Sequence, residues 1–123
     1  MNFDFSQDQK LLQKSAQTLL KEQSPLTQVR KVMESGEPCD KALWKRLAEA
    51  GWMGTTVPEQ YGGNGFGSLE LVLLAEELGA SLASVPFSSS VYFAIEALLL
   101  AGSEDQKKKY LPRLASGEAI GCF

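Results

Sequence analysis

The 123-residue chain contains no histidine. That removes Ser–His and Cys–His nucleophile pairs and any His-ligated metal site. Acid–base work would fall to carboxylates, lysine or tyrosine. Cysteine is scarce too: Cys39 and Cys122 stand far apart and in no C-x-x-C arrangement. No disulfide scaffold is expected, and a reducing compartment, the cytoplasm, is the expected home. Long apolar runs are also missing. The longest, Val91 to Ala101, is interrupted by Glu96 and falls short of the roughly 20 residues a bilayer span needs. The opening Met1-Asn2-Phe3-Asp4-Phe5-Ser6 has neither the basic start nor the apolar core of a signal peptide. Positive charge is not in excess, with 12 Lys and Arg against 15 Asp and Glu for a net charge of -3. Nucleic acid therefore has no electrostatic reason to bind. The expectation is a chain with no metal, no nucleic acid and no membrane among its partners.

What is present is ordinary for a globular domain: 44% hydrophobic and 22% charged residues. The length suits one domain with a real core. Helix signals dominate. Ser6 with Gln9 fits a capping box, and Leu12, Ala16, Leu19 and Leu20 share one face of a helix expected over residues 6–23. Pro25 restarts the pattern at a first helical position, with Leu26, Val29, Val32 and Met33 as its apolar stripe and Gly36 as its stop. Asp40 is the next N-cap, ahead of Leu43, Trp44, Leu47 and Ala48, and Gly51 ends that helix. Residues 52–58 read as extended. Ser68 opens a helix that ends near Gly79. The stretch Val91–Ala101 is apolar nearly all round, so other helices should surround it. Ser103 with Gln106 makes a second capping box, Pro112 should break the helix near Tyr110, and residues 120–123 read as the first of a strand. About six helices and no complete sheet make an all-α domain.

Between residues 59 and 67 four of nine positions are glycine. The loop has neither the Lys-Ser/Thr ending of a P-loop nor a G-x-G-x-x-G pattern. It leads into a helix N-terminus, which leaves two readings: an anion site, or a tight connection needing positive φ. Lys107–Lys109 read as a solvated helix face, and Trp44 and Trp52 as core aromatics. Glu96, alone on an apolar helix, faces an opening, a partner or a solvent edge.

Five stretches, in order, resemble the N-terminal helical domain of the acyl-CoA dehydrogenases. They are Phe3-Asp4-Phe5-Ser6 with Gln9, then Leu43 to Trp52, then Val57-Pro58-Glu59-Gln60-Tyr61-Gly62-Gly63-Asn64-Gly65, then Glu76-Glu77-Leu78-Gly79. The last is Gly102 to Pro112 with Ser116-Gly117-Glu118. The resemblance implies a helical domain over residues 1–118, with residues 119–123 opening a β domain that is absent. It implies FAD in the parent enzyme, none bound by this chain alone, and α,β-dehydrogenation of an acyl-CoA thioester. The flavin motif and catalytic glutamate would lie in the missing parts, so the chain alone would be inactive and carry no catalytic residue. The family further implies a homo-oligomer and an electron-transferring partner.

By position against the family, Val85 to Ala94 would face the acyl group. Pro86, Phe87, Ser90, Phe93 and Ala94 are the expected substrate-binding residues, and Tyr61 would shape the mouth of the slot. An alkyl slot needs apolar walls whose bulk sets its depth. The Val85-Pro86-Phe87 run resembles members that take bulkier acyl groups than straight chains. The alternative reading is a stand-alone helical interaction module that pairs with itself or with a dehydrogenase-like partner. A third is a helical domain that holds acyl groups between its own helices. Association is expected through the surface a β domain would cover.

Overall fold

A computed structural model describes residues 4–122. Its helices are α1 (Gln7–Gln23), α2 (Leu26–Ser35), α3 (Lys41–Glu49), α4 (Ser68–Ala80), α5 (Glu96–Ala101) and α6 (Glu104–Ala115). Two short 3-10 turns, Trp52–Gly54 and Glu59–Tyr61, and a π-helical segment, Ser88–Ile95, complete the set. There is no strand among the described residues, so the all-α expectation holds. Residues 120–122 are irregular, and the remainder of the expected strand, Phe123, lies outside the described residues, as does Phe3 at the other end. The chain forms two compact units. One is the chain up to Pro38 with Ser68–Ser84, and the other is Cys39–Gly67 with the chain from Val85 onward.

In the first unit, α1 starts on the capping box legible in the sequence. Ser6 Oγ accepts the Gln9 N–H at 3.1 Å, and Gln9 Oε1 accepts the Ser6 N–H at 2.9 Å. α1 packs on α4, burying Ala16 and Leu20 of the one and Leu71, Leu74 and Leu78 of the other. A polar ladder runs beside this seam. Gln9 Nε2 donates to Glu70 Oε1 at 2.8 Å, and Gln13 and Gln17 Nε2 donate to Glu77 Oε1 at 3.1 and 2.9 Å. The buried Glu77 is thus satisfied by two carboxamides. Pro25 is the N-cap of α2 rather than its first residue. Of the expected α2 stripe only Val29 is buried; Val32 is half-buried, Leu26 is exposed and Met33 is 76% exposed. Periodicity marks which face is apolar but does not supply a neighbour to cover it.

The C-terminus of α4 is closed by a Schellman arrangement. The Ala83 N–H donates to the Leu78 carbonyl and the Leu82 N–H to the Gly79 carbonyl, both at 3.1 Å. The left-handed position belongs to Leu82, at φ 50, where glycine is the usual occupant.

In the second unit, Asp40 caps α3 by accepting the Leu43 N–H at 2.9 Å, and Gly51 at φ 76 ends it. Residues 52–58 are not extended. Gly54 N–H donates to the Gly51 carbonyl, Thr55 N–H to Trp52 and Val57 N–H to Gly54, at 3.2, 3.3 and 3.2 Å. This i to i+3 winding turns Trp52, Met53 and Val57 together into the core, which a period of two would not do. The Trp44 indole donates to the Gly117 carbonyl at 2.9 Å.

The apolar helix starts earlier than its sequence suggests and leaves the core uncovered on one side. No residue of α5 is buried, Leu100 is 84% exposed and Phe93 58%. The expected enclosure by other helices is therefore absent among the described residues. α6 opens on its capping box, with Ser103 Oγ and Gln106 Oε1 accepting reciprocally at 3.2 and 2.9 Å. It then runs through Pro112 without breaking. Proline removes only the N–H that would have served the Lys108 carbonyl, and both residues lie on the exposed side, where water replaces it.

Candidate functional site

The glycine-rich loop is the first candidate, and its backbone settles what it does. Five successive N–H groups are returned to the preceding segment. Gly62 donates to Glu59, Gly63 to Pro58, Asn64 to Gly54, Gly65 to Val57 and Phe66 to Thr55, at 2.8 to 3.3 Å. The Asn64 side chain donates to the Gly51 carbonyl at 2.8 Å. An anion cradle needs free N–H groups, and those of residues 62–66 are already spent. Gly62 and Gly65 have φ of 84 and 64. Gly63 is required for space, since a Cβ there would lie 2.0 Å from the Val57 carbonyl oxygen. The loop is a structural knot.

Tyr61 sits inside this knot with its ring buried. Its hydroxyl donates to Glu104 Oε2 at 2.7 Å, at the first turn of α6. The carboxylate that accepts its hydrogen bond holds the phenol above its ordinary range, with burial adding to the effect.

The segment expected to face an acyl group is the π-helical turn and its lead-in. π-helical winding is rare and concentrates at functional sites. Phe87 is buried and meets Tyr92 edge-on, with ring centroids 5.5 Å apart. Burial raises the Tyr92 hydroxyl above the usual phenol range. Ser90 is wholly buried, and its hydroxyl accepts the Gly121 N–H at 3.2 Å. Pro86 and Ala94 are half-buried, and Phe93 points outward. The structure thus gathers five of the expected residues on one short segment, with Phe87 and Ser90 as its inner side and Phe93 as its outer side.

Beside this segment lies a groove of about 530 Å³, lined by Ala94, Ala97, Leu98, Ala101, Tyr110 and Ile120 among others. Of the expected residues only Ala94 reaches it. The sequence signal was there in the spacing Ala94, Ala97, Ala101 on an apolar helix, but helical periodicity alone reads such alanines as core. Glu96 does not face the groove; it accepts from Thr56 Oγ1 at 3.3 Å. Lys107 lies 3.9 Å from Glu104, and the Lys109 ammonium stands 5.1 Å from the Tyr110 ring centroid. No group of three or more potential metal ligands occurs among the described residues. None of the described helices is long and apolar enough to cross a membrane. Both cysteines are free thiols.

Comparison with known proteins gives this arrangement its relatives. Residues 6–118 match the family model described as acyl-CoA dehydrogenase, N-terminal domain. The mitochondrial isovaleryl-CoA dehydrogenase of Bos taurus is 37% identical over 121 residues, covering 96% of this chain and 28% of that protein. In the ChsE4-ChsE5 complex from Mycobacterium tuberculosis, a chain 31% identical superposes with a TM-score of 0.88, over 98% of this chain and 33% of that one. The FAD-complexed acyl-CoA dehydrogenase of Bacillus anthracis, 30% identical, superposes at 0.86 over 96% of this chain and 21% of that one. The chain spans a third or less of the length of each of these proteins.

Proposed function

Since the chain belongs to the acyl-CoA dehydrogenase family, as a match to its N-terminal domain, we propose that it is the acyl-facing helical part of an FAD-dependent enzyme that introduces an α,β double bond into an acyl-CoA thioester. Its share is one wall of the acyl slot. Pro86, Phe87, Ser90, Phe93 and Ala94 form that wall, and Tyr61 stands at its mouth. The observation that carries the reading is the π-helical segment. It anchors Phe87 and Ser90 inward and leaves Phe93 outward, 58% exposed, as a bulky apolar surface.

FAD, when bound in the whole enzyme, supplies the hydride acceptor. The N–H groups of residues 62–66 in the glycine-rich loop are spent internally and are not offered to its diphosphate. The flavin contacts and the base that removes the α-proton are therefore assigned to the rest of the enzyme, and the 123-residue chain alone is inactive. The whole enzyme is a homo-oligomer in a reducing compartment, the cytoplasm.

A short, branched acyl group is the proposed substrate class. Two things support it: similarity to an isovaleryl-CoA dehydrogenase, and a phenylalanine where a long straight chain would need room. The natural protein, purified with FAD, should oxidise isovaleryl-CoA at least tenfold more efficiently than octanoyl-CoA. Phe93→Ala should narrow that ratio. Equal efficiency on both would overturn the branched-acyl reading, and turnover of neither would overturn the enzymatic one.

A further inference from the structure

The sequence has two asparagines, Asn2 and Asn64, and only Asn64 precedes a glycine. Asparagine before glycine is the reactive pair for deamidation, because glycine has no Cβ to shield its own nitrogen. In the first step the Gly65 nitrogen gives up its proton and bonds to Asn64 Cγ, while Nδ2 takes up a proton and leaves as ammonia. The resulting succinimide ring adds one water at either carbonyl, giving aspartate or isoaspartate. Water is the sole co-reactant, and nothing is oxidised or reduced.

Both nitrogens of that first step are restrained in the knot. The Gly65 N–H donates to the Val57 carbonyl at 2.9 Å, and Asn64 Nδ2 donates to the Gly51 carbonyl at 2.8 Å. On either side, the Asn64 N–H donates to Gly54 and the Phe66 N–H to Thr55, both at 2.8 Å. The carboxamide is also backed by Gly51, where an added Cβ would stand 3.3 Å from Nδ2. Asn64 and Gly65 are nonetheless exposed. Water reaches the pair, and only the freedom to bring nitrogen onto carbon is withheld.

We propose that Asn64-Gly65 is a shielded deamidation site, kept unreactive by the closed knot, gated by local opening, and unable to close again once it has reacted. The last point follows from the product. A carboxylate at position 64 has no proton to offer the Gly51 carbonyl, so two acceptors face each other. Isoaspartate goes further and inserts a methylene into the main chain between the position-64 and position-65 donors, which can no longer both reach Gly54 and Val57. Opening of a loop is a local event that recurs while the rest of the protein stays folded. The modification therefore accumulates with the time a molecule has spent open, and it sorts old molecules from new. This concerns the knot alone and does not rest on the acyl reading.

The natural protein is incubated near neutral pH, folded and in urea, and residues 2 and 64 are followed by peptide mass mapping. Unfolded, Asn64 should deamidate faster than Asn2. Folded, its rate should drop at least about tenfold, as the closure worth of a single hydrogen bond requires. At urea concentrations below the global transition, that rate should rise in proportion to amide exchange at Gly65, because both need the same N–H released. Those measurements need no variant. Asn64→Asp, which carries the product's carboxylate, should exchange at Gly65 and Phe66 about tenfold faster than the wild type, with helical circular dichroism unchanged. Equal folded and unfolded rates at Asn64 would overturn the proposal. So would deamidation that ignores Gly65 exchange, or wild-type protection of Gly65 and Phe66 in Asn64→Asp.

Discussion

The hydroxyl of Ser90 accepts the backbone N–H of Gly121 at 3.2 Å, joining positions 31 residues apart. The serine is wholly buried. At Gly121 the backbone lies so near the helix that an added Cβ would meet the Ala94 Cβ at 2.3 Å. Together they hold the segment after α6 in one register against the π-helical turn.

Gly121→Ala should therefore destabilise the chain by about 1–3 kcal/mol, the usual cost of forced overpacking. Ser90→Ala should cost about 1 kcal/mol, the net worth of one hydrogen bond. Urea unfolding measures both, and amide exchange at Gly121 should quicken in Ser90→Ala. Unchanged exchange there would mean the bond does not form in solution.

Two other glycines should respond in opposite directions. Gly63→Ala forces a Cβ to 2.0 Å from the Val57 carbonyl oxygen and should cost about 3 kcal/mol or more. Gly79 lies in α4 with nothing within 4 Å of its would-be Cβ, so Gly79→Ala should stabilise by about 0.5–1 kcal/mol. Thermal melts of the two variants check the sign of each.

Leu82 should be improvable. A non-glycine residue in the left-handed region costs about 1–2 kcal/mol, and its exposed side chain recovers little by burial. Leu82→Gly should raise stability by about 1 kcal/mol, net of glycine's greater unfolded-state entropy, and Leu82→Asn by less. Loss of stability in both would show that the leucine side chain contributes packing that outweighs its backbone strain.

The Tyr61–Glu104 bond sets an alkaline limit. Tyr61 has its folded pKa raised by the carboxylate that accepts its hydrogen bond. The stability this gives is fully present below the unfolded value of about 10 and is lost as pH rises through the folded one. Tyr92 is shifted the same way by burial. Stability should fall above pH 10, and Tyr61→Phe should flatten but not abolish that fall. A variant with the wild-type alkaline profile would assign the whole effect to Tyr92.

Local hydrogen bonding made much of this fold legible before any coordinates. Both capping boxes, the Asp40 cap and the left-handed glycines at 36 and 51 depend on neighbours a few residues away, and each is where the sequence puts it. Pro112 misleads because its cost depends on whether the orphaned carbonyl sees water, which is a tertiary fact. Val91–Ala101 misleads for a related reason: composition reports that a face is apolar, not that something covers it. The π-helical winding has no sequence signature that single-chain periodicity resolves. Along the segment expected to face an acyl group, the sequence did not tell which side chains turn inward. Ser90 is claimed by Gly121 and Tyr61 by Glu104, partners 31 and 43 positions away.

The knot at residues 51–66 has a consequence for the order in which the chain assembles. Its backbone bonds are all local, and the side-chain bond from Asn64 to Gly51 spans only 13 residues. Loops of that length close in about 10–100 ns and lose little entropy in doing so. The bond from Trp44 to Gly117 must instead close 73 residues. The knot can form before any helix of its unit has met another, and it then presents α3 and α6 with a preformed floor. Contacts of long sequence separation become the slow step, and the glycines that look like slack in the chain set its starting point.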